Sequence, residues 1–326
     1  MSYSKTTLVK ATQVLEGRRN KAQRTQIARH LAVTEKIPVI SKYEAQLSET
    51  GLSVVKAIGM GSDAQEYINQ LSQLNLAVQE KIKSILKENG FPEDYLEIPY
   101  NCKICGDTGY HGGYICECRK ELLRELAKKE LASVSPSDRC NFDNFSVDFY
   151  PQPVDSALGV SPYKRMNEIL EYCKCYAEDF DSESESLYMH GATGLGKTHL
   201  SLAIANIVAE NGYRVIYDSA QNLLSSLEKE KFSYSGSNER EKEILECDLL
   251  IIDDLGSEFS TQFTVAALYN IINTRINRSK PVIISTNLSE TELEAKYTQR
   301  ITSRIIGNYV SLLFLGKDIR QIKNKK

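Results

Sequence analysis

The chain has 326 residues, 41% hydrophobic and 25% charged, an ordinary balance for a globular protein that argues against wholesale disorder. Its 40 Lys and Arg against 43 Asp and Glu leave a net charge of −3, so any contact with nucleic acid has to come from a local patch. Apolar runs such as Leu249–Ile252 stop far short of the roughly 20 residues that span a bilayer, and Met1–Lys5 opens no signal peptide, so a cytoplasmic protein without membrane contact is expected.

In chain order, residues 1–99 read as a helical, partner-binding region. Leu15, Ile27, Leu31 and then Ile68, Leu71, Leu74, Val78, Ile82 and Ile85 recur at three- and four-residue steps, and Gly51, Gly59 and Gly61 divide the pattern into two helical stretches. Arg18, Arg19, Lys21, Arg24 and Arg29 make a basic stretch diluted by few acids, which is either a solvated helix face or a contact surface. Residues 100–133 hold Cys102, Cys105, Cys116 and Cys118, then a short charged helix ending near Ser133. In a reducing compartment such a cluster reads as a metal site sooner than as disulfides, and four thiolates can close a tetrahedral structural Zn²⁺ site. The second pair is C-x-C, so His111 is an alternative ligand.

Residues 134–162 carry Pro136, Pro151, Pro153 and Pro162 and are expected to lack regular structure. Phe142, Phe145, Phe149 and Tyr150 are too apolar for a free tether, so this linker should pack on the domain that follows. From 163 to 326 strands alternate with helices: strands at Leu187–His190, Arg214–Tyr217, Leu249–Ile252 and Val282–Ser285, and helices from Lys197 to about Glu210, from Gln221 onward with a polar gap at Ser233–Asn238, and over Val265–Asn277. Strand–helix–strand order means parallel crossovers and an α/β fold.

The strongest chemical signal is Gly191-Ala192-Thr193-Gly194-Leu195-Gly196-Lys197-Thr198, a complete G-x-x-x-x-G-K-[ST] phosphate loop placed after a strand and before a helix. Its backbone N–H groups and the helix N-terminus would cradle phosphates, Lys197 would reach the β- and γ-phosphates, and the Thr198 hydroxyl would ligate Mg²⁺. Downstream, Asp253 and Asp254 end an apolar strand; Asp253 would hold Mg²⁺ through water and Asp254 would polarise the attacking water. Such ATPases more often carry Glu at the second position, and Asp is one methylene shorter, so slow turnover is expected. Asn287, after Val282–Ser285, either orients the lytic water or simply occupies a turn. Arg300, Arg304 and Arg320 lie further on, and arginines on amphipathic helices are commonly just solvated.

Taken in order, Phe142-Asp143-Asn144-Phe145, the phosphate loop, Asp253-Asp254, Ser285-Thr286-Asn287, Arg300-Ile301-Thr302-Ser303-Arg304 and Gly316-Lys317-Asp318-Ile319-Arg320 resemble the bacterial replicative helicase loaders of the DnaC/DnaI family and their IstB-like relatives. The resemblance implies an AAA+ P-loop ATPase core with a parallel sheet flanked by helices. It further implies sensor roles for Asn287 and Arg320, and a trans-acting arginine finger at Arg304 through which copies self-associate. The cysteine cluster around Asp107-Thr108-Gly109-Tyr110 resembles the zinc module ahead of the ATPase in DnaI-type loaders. The implied function is an ATP-, Mg²⁺- and zinc-dependent protein that delivers a ring-shaped replicative helicase onto single-stranded DNA, with slow ATP hydrolysis stimulated by DNA or partner. The alternatives are an IstB-like transposition helper and, from a different class, a P-loop small-molecule kinase.

Overall fold

A computed structural model describes residues 3–57, 64–134, 139–154, 159–233 and 238–323. Gly59, Gly61, Pro136 and the interior of the polar gap after Ser233 lie outside the described residues. The chain divides into two compact units, Thr12–Arg119 and Lys120–Lys326, the latter joined by Met1–Ala11. No helix among the described residues is long and apolar enough to cross a membrane.

The helical region forms α1 (Lys5–Lys36), of which the part from Thr12 belongs to the first unit, α2 (Val39–Ala57) and α3 (Ala64–Glu88). The break expected at Gly51 does not occur, because Gly51 lies inside α2. The chain breaks instead at Ile37-Pro38, where proline removes a backbone donor and disfavours helical geometry before it; a lone helical glycine costs only about 1 kcal/mol. Val33, Ile37, Ile40 and Leu86 form one buried cluster of this unit, flanked by Phe91 and Tyr95 with ring centroids 4.9 Å apart. Ile27, Leu31 and Leu74, which carried the helical period, are exposed. A two-residue hairpin, β1 (Tyr110–His111) against β2 (Tyr114–Ile115), separates the two cysteine pairs.

The helix α4 (Glu117–Val134) leads into the second unit. Pro162 does not prevent regular structure there: it is the first residue of α5 (Pro162–Glu178), capped by the Ser161 hydroxyl, which accepts from the Lys164 N–H. A first-turn proline loses no helical hydrogen bond and arrives with suitable φ, which is why it starts a helix that it would break further in. The series continues with β3 (Ser186–His190), α6 (Lys197–Glu210), β4 (Val215–Ser219), α7 (Ala220–Lys231), α8 (Glu239–Glu246), β5 (Leu249–Leu255), α9 (Gln262–Asn277), β6 (Val282–Thr286), α10 (Glu290–Tyr297), α11 (Gln299–Asn308), β7 (Tyr309–Leu313) and α12 (Ile319–Lys323).

The strands form one parallel sheet in the order β4-β5-β6-β3-β7. Leu249–Ile252 and Val282–Ile284 are fully buried, as expected of strands covered on both faces. Alternation sends Leu249, Ile251 and Ile283 into a core shared with α5 and α6, and Leu250, Ile252 and Ile284 into a second core shared with α7, α9, α10 and α11. Phe145 and Tyr150 from the segment before α5 are buried in the first of these cores.

Candidate functional site

The parallel sheet gathers the C-terminal ends of β3, β5 and β6 at one edge, where ligands bind in open α/β folds. The phosphate loop is the turn between β3 and α6. Gly194 has φ +76°, and a Cβ there would collide with the Asp318 carboxylate. A Cβ at Gly191, φ +136°, would collide with the Phe314 carbonyl. Glycine is required at both positions by backbone and by neighbour, because the C-terminal segment lies across the loop and Ile319 N–H donates to Gly194 O at 3.1 Å. Lys197 is buried at the start of α6, its Nζ donating to Gly191 O (2.7 Å), Ala192 O (2.8 Å) and Asn287 Oδ1 (2.7 Å). Burial pushes the Lys197 ammonium down to about 8; Asp254 and Asp253 pull it back up and Arg320 adds to the depression.

The two consecutive carboxylates are treated differently. Asp253 is buried and accepts from Thr198 Oγ1 (2.9 and 3.0 Å), Ser285 Oγ (2.5 Å) and the Tyr217 hydroxyl (2.9 Å). Asp254 sits at φ +54° where the β5–β6 register breaks between Ile252 and Leu255. That irregularity turns its side chain toward β6, where Asn287 Nδ2 donates to Asp254 Oδ1 at 2.7 Å, while its own N–H is fixed on Ser285 Oγ at 2.8 Å. Asn287 thus joins Lys197 to Asp254 through the two ends of one amide. Thr198 and Asp253 together offer the hard oxygen donors that suit Mg²⁺, which supplies charge neutralisation at the β- and γ-phosphates when bound.

These groups line a cavity of about 520 Å³, large enough for a nucleotide. Arg320 lines it, whereas Arg304 does not. Its opposite wall comes from the segment before α5, with Asn144, Phe145 and Phe149. That wall is pinned: His199 Nε2 donates to Asn141 O (2.8 Å), Asn206 Nδ2 to Cys140 O (2.9 Å) and the Tyr150 hydroxyl to Leu195 O (2.8 Å). Phe145 meets the His199 ring edge-on at 5.4 Å between centroids.

In the other unit the sulfurs of Cys102, Cys105, Cys116 and Cys118 lie within 4.8 Å of one another, with Cys102–Cys116 at 3.7 Å and Cys105–Cys118 at 3.5 Å. Four sulfurs around a tetrahedral zinc at about 2.3 Å stand about 3.8 Å apart, so the donor set fits Zn²⁺. Gly109 N–H donates to Cys105 Sγ at 3.4 Å, and buried Asp107 accepts from the N–H groups of Asn101 and Cys102, both at 2.9 Å, which folds the first knuckle. His111 is exposed on β1 and is not part of the cluster.

Residues 173–307 match the family described as IstB-like ATP binding protein. This stretch is therefore similar to IstB-like ATP-binding proteins. The chain is similar to the replicative helicase loader DnaC of Escherichia coli (strain K12), 26% identical over 178 residues that span 54% of this chain and 66% of that protein. It is equally similar to DnaC of Buchnera aphidicola subsp. Acyrthosiphon pisum, 26% over 188 residues, 56% of this chain and 70% of that one. A crystal structure of the DnaC helicase loader superposes on 56% of this chain and all of that chain, with a TM-score of 0.46 and 23% identity.

Within the matched stretch the Arg304 side chain lies over the ring of Tyr269, Cζ 5.3 Å from the centroid, and Nη2 donates to the Tyr269 hydroxyl at 3.1 Å. That hydrogen bond and the guanidinium charge hold the Tyr269 phenol below the usual tyrosine range. Reading the sequence missed Asn144, Phe145 and Ser285, which line the cavity, and Tyr217, which holds Asp253. Asn144 and Phe145 stand in a motif that could have flagged them, and Ser285 sits two residues before Asn287, but nothing local distinguishes Tyr217 from any other strand tyrosine.

Proposed function

We propose that the protein is a nucleotide-controlled loader that binds ATP·Mg²⁺ in its IstB-like domain, hydrolyses it slowly, and delivers a ring-shaped replicative helicase onto single-stranded DNA. The observation that carries the reading is the continuous Lys197–Asn287–Asp254 connection inside a nucleotide-sized cavity, in a domain similar to DnaC. In this reading the phosphate loop, residues 191–198, holds the triphosphate, Thr198 and Asp253 hold the metal, and Asp254 polarises the attacking water. Arrival of a γ-phosphate draws Lys197 away from Asn287, which frees that amide to orient the same water. Arg320 reaches the phosphates from α12. A cavity built by the domain's own residues, with Arg304 outside it, suits a finger that completes the site of a neighbouring copy. Arg304→Ala is expected to leave nucleotide affinity unchanged and to lower hydrolysis at assembling concentrations by on the order of 10²- to 10³-fold; equal rates for variant and wild type would remove the trans role.

Contact with single-stranded DNA has support from exposed aromatic rings. Phe232 and Phe263 stand 5.9 Å apart between centroids, with Phe232 74% exposed and Phe259, in the segment before α9, 82% exposed. Rings left in water gain nothing from folding until a partner covers them, and unpaired bases stack on such rings for about 1–3 kcal/mol each. Phe232→Ala and Phe263→Ala are each expected to weaken oligonucleotide binding about tenfold in fluorescence anisotropy without changing ATP affinity. The exposed Ile27, Leu31 and basic residues of α1, together with a zinc-braced hairpin, suit the helicase contact.

The deciding experiment is loading of the host's own ring helicase onto single-stranded DNA coated with binding protein, read as unwinding of a downstream labelled duplex. Unwinding that requires the protein and ATP supports the reading. Stimulation of a transposase on duplex DNA, or phosphoryl transfer to a metabolite, would replace it.

A further inference from the structure

We infer that Tyr217 is a positioning residue for the divalent cation: its phenol holds the Asp253 carboxylate in the orientation that receives the metal's hydration shell. The inference rests on the ATP·Mg²⁺ reading and extends it to a residue outside every motif. In the parallel β4–β5 pair Ser219 lies opposite Asp253 and Tyr217 opposite Ile251, so Tyr217 is two residues back on the face that carries Asp253. From there its hydroxyl reaches forward to Asp253 Oδ2 at 2.9 Å.

The hydrogen bonds on Asp253 show what the phenol contributes. Oδ1 accepts from Ser285 and Thr198, and Oδ2 accepts from Tyr217 and Thr198. When Thr198 turns its oxygen to a cation, Ser285 keeps one bond on Oδ1 and Tyr217 keeps one on Oδ2. Each carboxylate oxygen then has one acceptor direction open for a metal-bound water. Without the phenol, Oδ2 has no protein donor, and the carboxylate is free to rotate toward Lys197, whose ammonium already feels its charge. That rotation would trade a metal ligand for an ion pair in the same cavity. Tyr217 does not line the cavity itself and therefore acts through Asp253.

The test is Tyr217→Phe, which keeps the ring and its packing and removes only the hydroxyl. Uptake of fluorescent ATP by the full chain is titrated with Mg²⁺ and repeated in EDTA. Outer-shell partners of metal ligands are commonly worth 10- to 100-fold, so the half-saturating Mg²⁺ concentration should rise roughly tenfold, with affinity in EDTA unchanged. An unchanged Mg²⁺ requirement, or an equal loss of affinity with and without Mg²⁺, would overturn the inference and leave the ATP reading standing. A wild-type chain that takes up no nucleotide under either condition would remove both. Tyr217→Leu, compared with Tyr217→Phe, separates lost packing from the lost hydroxyl: only an effect common to both variants counts for the inference.

Discussion

Lys197→Ala is expected to abolish ATP binding at micromolar protein. In the free protein the Lys197 ammonium is enclosed by two loop carbonyls and the Asn287 amide, so it is already stripped of water and aimed into the cavity. A triphosphate that displaces those acceptors meets a charge whose desolvation has been met by folding. Removing one member of such a buried, hydrogen-bonded charge pair costs about 2–5 kcal/mol, which raises the dissociation constant by about 30- to several-thousand-fold. The loss should be clear in a fluorescent-nucleotide titration, and a variant that binds within threefold of wild type would contradict the assigned role.

The same lysine gives the binding a pH dependence of predictable sign. Its pKa in the free protein is about 8, and the negative phosphates of a bound nucleotide raise it. Below pH 8 both states carry the proton and affinity is insensitive to this group. Above pH 8 the free protein loses the proton that the complex needs, so affinity falls by up to about tenfold per pH unit until the raised value is passed. Titrations from pH 6.5 to 9.5 should show this fall in wild type and its absence in Lys197→Arg, whose side chain stays charged throughout.

The second large effect is expected at the cysteine cluster. Protein purified without added zinc should contain about one equivalent, and chelation or Cys105→Ser should unfold the module between Asn101 and Arg119. Its secondary structure between the cysteine pairs is a hairpin of two-residue strands whose Tyr110, Tyr114 and Ile115 side chains are exposed, so apolar burial contributes little there. Binding a structural zinc supplies about 10–16 kcal/mol in small zinc-dependent folds, comparable to the whole stability of a domain. Limited proteolysis should therefore cut within this stretch only after metal removal, and ATP affinity should be unaffected, since none of the four cysteines lines the nucleotide cavity. A metal-free chain that keeps the stretch protease-resistant would show that the thiols are not a zinc site.

What could be read before the fold was known is what is local in the chain. The phosphate loop needs six consecutive residues between a strand and a helix, and Ser186–His190 and Lys197–Glu210 lie where the pattern places them. The cysteine cluster needs two pairs joined by a loop. The apolar runs of β5 and β6 announce strands buried on both faces. Turn and helix-start signals are less decisive: Gly51 and Pro162 are both potential breakers, yet a lone glycine costs a helix only about 1 kcal/mol and a proline behind a serine cap begins one.

By its sequence alone the chain determined a strand–loop–helix for phosphates, a thiolate cluster for one metal, and an alternating α/β order, because each depends on neighbours within a few residues. Only the tertiary structure decided that β6 pairs between β5 and β3, which brings Asn287 between Lys197 and Asp254, and that β7 flanks β3, which carries Phe314–Arg320 across the loop. Continuous apolar strands look alike in sequence, and their order in the sheet is chosen by packing against helices on both faces, an interaction between residues far apart in the chain. The Tyr217 hydroxyl on Asp253 is the clearest consequence: a contact made by sheet register across 36 residues, with no trace in either residue's immediate surroundings.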